Sequence, residues 1–132
     1  MIPTEEQVMI RDMARAFAAE QIAPFAGEWE DKAYFPAEVF KAMGKLGLMG
    51  MTVPQEWGGA GLDFVTYAMA LEEIAAGDGA VAIVMSGHNS VGCMPILEYG
   101  TEAQKQRYLR ALAQGELLSA FALTEAKGGS DA

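Results

Sequence analysis

The residues best suited to chemistry lie in the last twelve positions of the chain. An apolar run, Phe121–Leu123, leads through Thr124 into a polar turn that contains Gly128-Gly129-Ser130. An extended backbone presents alternating N–H and C=O groups, which can match the donors and acceptors along the pyrimidine edge of an isoalloxazine. A Gly-Gly-Ser turn can bring backbone N–H groups and a hydroxyl up to a phosphate. The pattern therefore suits a flavin nucleotide.

Other reactive residue types stand alone. His88 is the single histidine and Cys93 the single cysteine, so a metal site lacks ligands and a nucleophile lacks an orienting partner. We expect a hydrogen-bonded buried histidine and a buried thiol. Glu72 and Glu73 are neighbours on a predicted helix and point in different directions, so we expect both at the surface as separate side chains.

Periodicity and capping signals predict about five helices and place the tail after them. Thr4 with Gln7, and Thr101 with Gln104, form capping boxes, while Asp63 caps a third helix. Gly47 and Gly115 suit helix ends. A second helix is expected over Ala37–Leu46, and Leu48–Leu62 reads as a structural loop that matches no phosphate-binding motif. The residues predicted to face the core of the first and third helices are Met9, Met13, Phe17, Phe64, Ala68, Leu71 and either Ile74 or Ala75.

The central helix should be residues 79–99, which are hydrophobic on nearly every side. Its polar cluster is His88-Asn89-Ser90, and a bend is expected between Gly92 and Pro95. With the segment after Leu117 predicted to be extended, the fold class is all-α: an orthogonal bundle of about five helices with an extended carboxyl-terminal tail.

Composition limits the partners. The chain has 132 residues and a net charge of −9, and its nine basic residues are scattered, so we expect no nucleic acid. Lys105, Arg107 and Arg110 should be a solvated helix face. One cysteine allows no intrachain disulfide. We expect charges to interrupt every apolar run too early for a membrane span, and no signal peptide is evident, which favours no membrane and a cytoplasmic location. A hydrophobic fraction of 52% indicates that part of the apolar surface is covered by a partner. We expect the protein to form a homo-oligomer.

Three segments resemble the amino-terminal domain of acyl-CoA dehydrogenases. The loop Val53-Pro54-Gln55-Glu56-Trp57-Gly58-Gly59-Ala60-Gly61 is similar to a Pro-x-x-Tyr/Trp-Gly-Gly-x-Gly motif. The segment Asn89–Ile96, followed by Tyr99–Leu109, is similar to a second family pattern, Pro-Ile and then Gly-Thr-Glu-x-Gln-Lys-x-x-Tyr-Leu. The tail Thr124-Glu125-Ala126-Lys127-Gly128-Gly129-Ser130-Asp131 resembles the signature Thr-Glu-Pro-x-Ala-Gly-Ser-Asp, with Ala126 in place of proline and Gly128 in place of alanine.

The resemblance implies a role for the chain and for several of its residues. Residues 1–132 would be a single amino-terminal helical domain, with a β-domain and a carboxyl-terminal helical domain outside this chain. The reaction implied is α,β-dehydrogenation of an acyl-CoA thioester with FAD as hydride acceptor and an electron-transferring flavoprotein as partner. The family's catalytic base lies in the carboxyl-terminal domain, so no catalytic residue is assigned here.

The implied binding residues fall in two groups. FAD would be bound by Phe121, Leu123, Thr124 and Ser130. Substrate would contact Ser130 and the central-helix residues Met85, Gly87, Val91 and Met94, although plain core packing is an alternative for each of these four. A helical association module without flavin chemistry is the alternative function for the whole chain.

Overall fold

The computed structural model describes residues 2–130, and within them six helices and no β-strand are present. The all-α fold class with an extended tail is therefore confirmed. The helices are α1 (Glu5–Gln21), α2 (Ala26–Asp31), α3 (Ala37–Lys45), α4 (Phe64–Gly77), α5 (Gly79–Tyr99) and α6 (residues 102–113). The unpredicted helix α2 has six residues and no side-chain cap. The ring of Phe25, which precedes the helix, stacks on the Trp29 ring with centroids 6.0 Å apart.

Helices α1 and α4 pack along each other through small side chains. Ala14 and Ala18 of α1 and Ala70 of α4 are buried, which lets the two backbones come close. The predicted N-terminal caps of these two helices are confirmed: Thr4 forms the capping box of α1, and the Asp63 carboxylate accepts a hydrogen bond from the backbone N–H of Thr66 at 2.8 Å.

Part of the predicted core face of these helices is wrong. Met9 is 70% exposed and Phe64 is 64% exposed, and Ala68 also lies at the surface. In α1 the buried residues Ala14 and Ala18 follow the predicted Met13 and Phe17 by one position, whereas in α4 the predicted Ile74 is buried together with Thr66 and Ala70. The two helices meet mainly along small side chains. Large apolar residues are therefore left outside, where a further surface can cover them.

Glu73 connects α4 to α1 instead of standing alone at the surface. Its carboxylate accepts two hydrogen bonds from the Arg15 guanidinium, at 2.9 and 2.6 Å. Those hydrogen bonds hold the pKa of Glu73 below its usual value. Because Arg15 is more than half exposed, we read this pair as an orienting contact with a small share in stability.

The predicted structural loop after α3 is confirmed, and it is well ordered by hydrogen bonds. Gly47 (φ +78°) ends α3, and a short 3-10 turn occupies Gln55–Trp57. Within the loop, Ala60 donates to Gly50 at 2.9 Å and Leu62 donates to Met51 at 2.8 Å, both through backbone N–H groups.

Two basic residues of α6 fasten this loop, so the predicted solvated face is only partly right. The Lys105 ammonium lies 5.9 Å from the centroid of the Trp57 ring, and the Arg110 guanidinium donates to the Glu56 carbonyl at 2.7 Å. Arg107 lies over the Tyr108 ring of its own helix. The helix α6 therefore contributes to loop order as well as to the core.

Helix α5 is the central element and is continuous over 21 residues. The predicted irregularity falls earlier than expected, because a π-helical turn occupies His88–Cys93. The expectation that charges interrupt every apolar run is wrong, since no charged side chain lies between Asp78 and Glu98. By length and composition α5 could cross a membrane, but a core helix passes the same test, and α5 packs against α4 and carries two buried polar residues.

Candidate functional site

The tail leaves α6 at Gly115 (φ +71°) and then runs without helical structure. Among residues 2–130, the backbone groups of residues 120–124 form no hydrogen bond with any other backbone group. The side chains of Phe121 and Leu123 are 61% and 53% exposed. The predicted flavin segment is thus an extended peptide whose N–H and C=O groups are available, as an unpaired strand edge is.

A tight turn follows the extended part, within the polar stretch where the sequence predicts a turn. Glu125 and Gly128 exchange two backbone hydrogen bonds, at 2.7 and 3.2 Å. A Cβ built on Gly129 would lie 3.6 Å from Cγ2 of Thr124, so the turn brings the two ends of the predicted segment together. Ala126, which replaces the family's proline, lies inside this turn.

The π-helical turn of α5 holds the base of the tail through His88. The backbone N–H of Ser119 donates to Nδ1 of His88 at 3.1 Å, and Nε2 lies 2.9 Å from the Leu112 carbonyl oxygen. Since an N–H can only donate and a carbonyl can only accept, Nδ1 is the acceptor and Nε2 carries the hydrogen. Burial lowers the pKa of His88, so the neutral ring that this pairing requires is favoured.

Gly92, one turn further along α5, makes room for the same residue. A Cβ on Gly92 would overlap the Ser119 hydroxyl and lie 2.6 Å from the Ser119 Cβ. The buried, satisfied histidine that the sequence predicts is confirmed. Its connection to the tail was missed, because nothing in the sequence pairs position 88 with position 119.

The four predicted acyl-binding residues of α5 lie in different surroundings. Met85 is fully buried in the main core, which fits the core-packing alternative and does not fit a cavity wall. Met94 is half-buried, and its sulfur accepts a hydrogen bond from the Thr52 hydroxyl at 3.6 Å. Gly87 has open space where a Cβ would be, and Val91 is 45% exposed.

Gly87 and Val91 therefore reach the outer side of α5, and Ile83 joins them. Ile83 is 74% exposed and precedes Gly87 by four residues, a spacing that places neighbours on one side of a helix. Val91 also borders a surface cleft of about 410 Å³ between α5, α6 and the start of the tail. Because Ile83 precedes Gly87 by four residues, the sequence could have identified it as a further residue on this side of the helix.

The reactive groups of residues 2–130 do not form a catalytic cluster. Among the described residues, no group of three His, Cys, Asp or Glu side chains could bind a metal ion. Cys93 is buried, as predicted, and burial raises the pKa of its thiol to about 12. Glu98 and Glu125 are exposed, and Asp131 lies outside the described residues.

The thiol of Cys93 is expected to be unreactive in the folded protein. Because the thiolate is the reactive form, a raised pKa together with burial should suppress attack on a disulfide reagent at pH 8. Ellman's reagent should label Cys93 in less than about a tenth of the protein molecules within roughly an hour in buffer, because few thiols are ionised at that pH. In about 6 M guanidinium it should label all of them. Rapid labelling of the native protein would contradict the buried position.

Comparison with known proteins agrees with these observations. Residues 4–116 match the family model described as "Acyl-CoA dehydrogenase, N-terminal domain". An acyl-CoA dehydrogenase of Bacillus subtilis is 51% identical over 129 residues, which are 98% of this chain and 34% of that protein. The chain thus spans about a third of the length of this curated relative.

Two solved structures extend the agreement to three dimensions. One is described as the electron transferring flavoprotein of Acidaminococcus fermentans; the chain superposes with a TM-score of 0.94 and 39% identity, covering 99% of this chain and 34% of that one. The other is acyl-CoA dehydrogenase complexed with FAD from Bacillus anthracis, with a TM-score of 0.89, 38% identity, and 98% and 22% coverage. The resemblance found in the sequence is therefore confirmed, and the chain belongs to the family of acyl-CoA dehydrogenase N-terminal domains.

Proposed function

We propose that residues 1–132 form the amino-terminal helical domain of an FAD-dependent acyl-CoA dehydrogenase. The protein would catalyse α,β-dehydrogenation of an acyl-CoA thioester, and this chain would contribute one wall of the site. The observation that carries the proposal is the extended peptide 120–124, whose backbone groups have no backbone partner among the described residues. It begins beside the outer side of α5, where Val91 borders the same cleft.

FAD fits the residues of the tail. In an extended segment alternate residues present their backbone groups to the same side, so Phe121 and Leu123 can address one planar edge together. Thr124 would add its N–H and hydroxyl, and Ser130 would bind the pyrophosphate. The flavin, when bound, supplies hydride acceptance. The residues of the tail bind and orient it.

The substrate would lie on the outer side of α5. We propose that Ile83, Gly87 and Val91 contact the acyl chain and that Met94 shapes one end of its path, since thioether side chains adapt to varied ligands. Ser130 would lie near the CoA moiety. Met85 acts from the core, behind this surface. The β-domain and the carboxyl-terminal helical domain, in the remaining length of the relatives, would supply the opposite wall.

The proposed partners follow from the same assignment. Acyl-CoA is the substrate, an electron-transferring flavoprotein takes the electrons, and copies of the protein associate as a homo-oligomer, with no nucleic acid or membrane involved. A cytoplasmic location suits the single cysteine, which allows no intrachain disulfide. No residue of this chain is assigned as the base that removes the α-proton.

The first test compares two polypeptides. The 132-residue chain should bind FAD weakly and show no turnover with butyryl-CoA and a dye acceptor, because it holds one wall only. A polypeptide that continues through the β- and carboxyl-terminal domains should be yellow and active. Turnover by the 132-residue chain would contradict the assignment of the base. A longer polypeptide that stays colourless after addition of FAD would favour the helical association module.

The second test targets one predicted contact in the longer polypeptide. Thr124→Val removes a hydroxyl without changing the shape of the side chain, so the dissociation constant for FAD should rise about tenfold, as expected for one hydrogen bond. Ser90→Ala is the control, since this exposed hydroxyl bonds only to the Ser86 carbonyl of its own helix. Equal FAD affinities of the Thr124→Val and Ser90→Ala proteins would contradict the role of Thr124.

A further inference from the structure

We propose that His88 is a positioning residue for the flavin segment: its imidazole fixes the backbone of Ser119 and so sets where Phe121–Thr124 lies. The inference rests on the proposed function, because the segment it positions is the one assigned to FAD. His88 itself would touch neither flavin nor substrate. It would act through the two peptide bonds that join Ser119 to Phe121.

The first support is the use of both ring nitrogens. Nε2 donates to the Leu112 carbonyl, which joins α5 to α6, and Nδ1 accepts from the Ser119 N–H, which joins α5 to the tail. The ring is 1% exposed, so water does not compete for either bond. A histidine needed only to join two helices would require the first bond alone.

The second support is that residues 118–124 of the tail have no other hydrogen bond to the helices among the described residues. Among residues 2–130, the hydrogen bonds between residues 118–124 and the helices all join Ser119 to Nδ1 of His88: the backbone N–H donates at 3.1 Å, and the hydroxyl oxygen lies 3.2 Å from the same nitrogen. Extended chain advances roughly 3.3 Å per residue, so Phe121 begins about 7 Å beyond this fixed point. A shift at Ser119 therefore carries directly into the backbone groups offered to the flavin.

The third support is steric and independent of hydrogen bonding. Gly92 leaves a notch that the Ser119 side chain fills, and a methyl group there would overlap it. Both His88 and Gly92 belong to the π-helical turn His88–Cys93. Turns of this kind are often found at functional sites.

Two substitutions separate the contacts of the ring. In H88N the amide oxygen can occupy the position of Nδ1 and accept from Ser119, whereas in H88Q the amide nitrogen can occupy that of Nε2 and donate to Leu112. In the longer FAD-binding polypeptide, H88Q should raise the dissociation constant for FAD about tenfold and change the flavin absorption spectrum, while H88N stays within about threefold. A loss of FAD affinity that is the same in both variants would overturn the proposal.

A measurement on the 132-residue chain keeps the inference separate from the function. Its only histidine gives an unambiguous pair of imidazole ¹⁵N resonances, which should show hydrogen on Nε2 and none on Nδ1. Amide exchange at Ser119 should be slowed in wild type and H88N and at least tenfold faster in H88Q, as expected when one buried hydrogen bond is lost.

The results of these experiments distinguish a failure of the positioning role from a failure of the proposed function. Hydrogen on Nδ1, or fast exchange at Ser119 in the wild-type chain, would overturn the positioning role whatever the cofactor. Slow exchange as predicted, together with a longer polypeptide that takes up no FAD, would overturn the proposed function and leave a tail anchored for another purpose. Gly92→Ala is the second variant: it should weaken FAD binding while the His88 resonances keep hydrogen on Nε2, and unchanged FAD affinity would contradict the steric part.

Discussion

Replacing Asn89 with leucine is expected to lower the free energy of unfolding by roughly 2 to 5 kcal/mol, because three buried backbone groups would lose a hydrogen-bond partner. The Asn89 amide oxygen accepts from the Met51 N–H at 2.9 Å, and its nitrogen donates to the Leu48 carbonyl at 2.9 Å and to the Met85 carbonyl at 3.0 Å. The side chain is 2% exposed, so water cannot replace it. Urea unfolding followed by circular dichroism measures the change.

The neighbouring residue provides the matched control. Ser90→Ala removes an exposed hydroxyl that bonds to the Ser86 carbonyl of the same helix, so its effect should stay within about 0.5 kcal/mol. Asn89→Asp keeps the acceptor for Met51 but directs a carboxylate at two carbonyl oxygens, and it should be as harmful as leucine near neutral pH. An Asn89→Leu protein as stable as the Ser90→Ala protein would show that the amide does not hold the loop.

Gly44→Ala is expected to cost about 3 kcal/mol of stability, at the upper end of ordinary overpacking. A Cβ at this position of α3 would overlap the Gln114 carbonyl oxygen and lie 2.7 Å from the Gly115 Cα. Both obstacles are backbone atoms at the end of α6, and Gly115 already adopts a φ of +71°. Neither can rotate away, so the helices must separate.

The control for Gly44 is Gly27, a helical glycine in α2 with nothing within 4 Å of its Cβ direction. Gly27→Ala should raise stability by about 0.5 to 1 kcal/mol, because alanine loses less chain entropy on folding. Thermal unfolding of both variants separates the effect of steric overlap at Gly44 from the general effect of replacing a helical glycine by alanine. If both alanine substitutions raised the free energy of unfolding, the close approach of α3 to the end of α6 would be refuted.

Adjacent side chains of one helix thus hold two different parts of the chain. Asn89 binds the loop at Leu48 and Met51, and His88 binds α6 and the base of the tail at Leu112 and Ser119. The two neighbours point in different directions, as successive helical residues must. The central helix is consequently both the middle of the core and the frame on which the proposed flavin segment is placed.

The sequence by itself determined five of the six helices and indicated the family. Capping at Thr4, Asp63 and Thr101, and the helix ends at Gly47 and Gly115, depend on residues three or four apart, and local hydrogen bonding settles such features. The family was indicated by three motifs together: the loop at 53–63, the segment 89–109 and the tail. The family model matches residues 4–116, which contain the first two. Burial of the lone histidine followed from its apolar surroundings.

Only the tertiary structure decided which residues meet across the chain. The inward face of α1 and α4 follows from the fit of Ala14, Ala18 and Ala70, and hydrophobicity alone had favoured Met9 and Phe64. The separation of buried Met85 from exposed Gly87 and Val91, and the pairing of His88 with Ser119, depend on how α5 is rotated against its neighbours. Those contacts join positions 31 or more residues apart, and no local pattern encodes them.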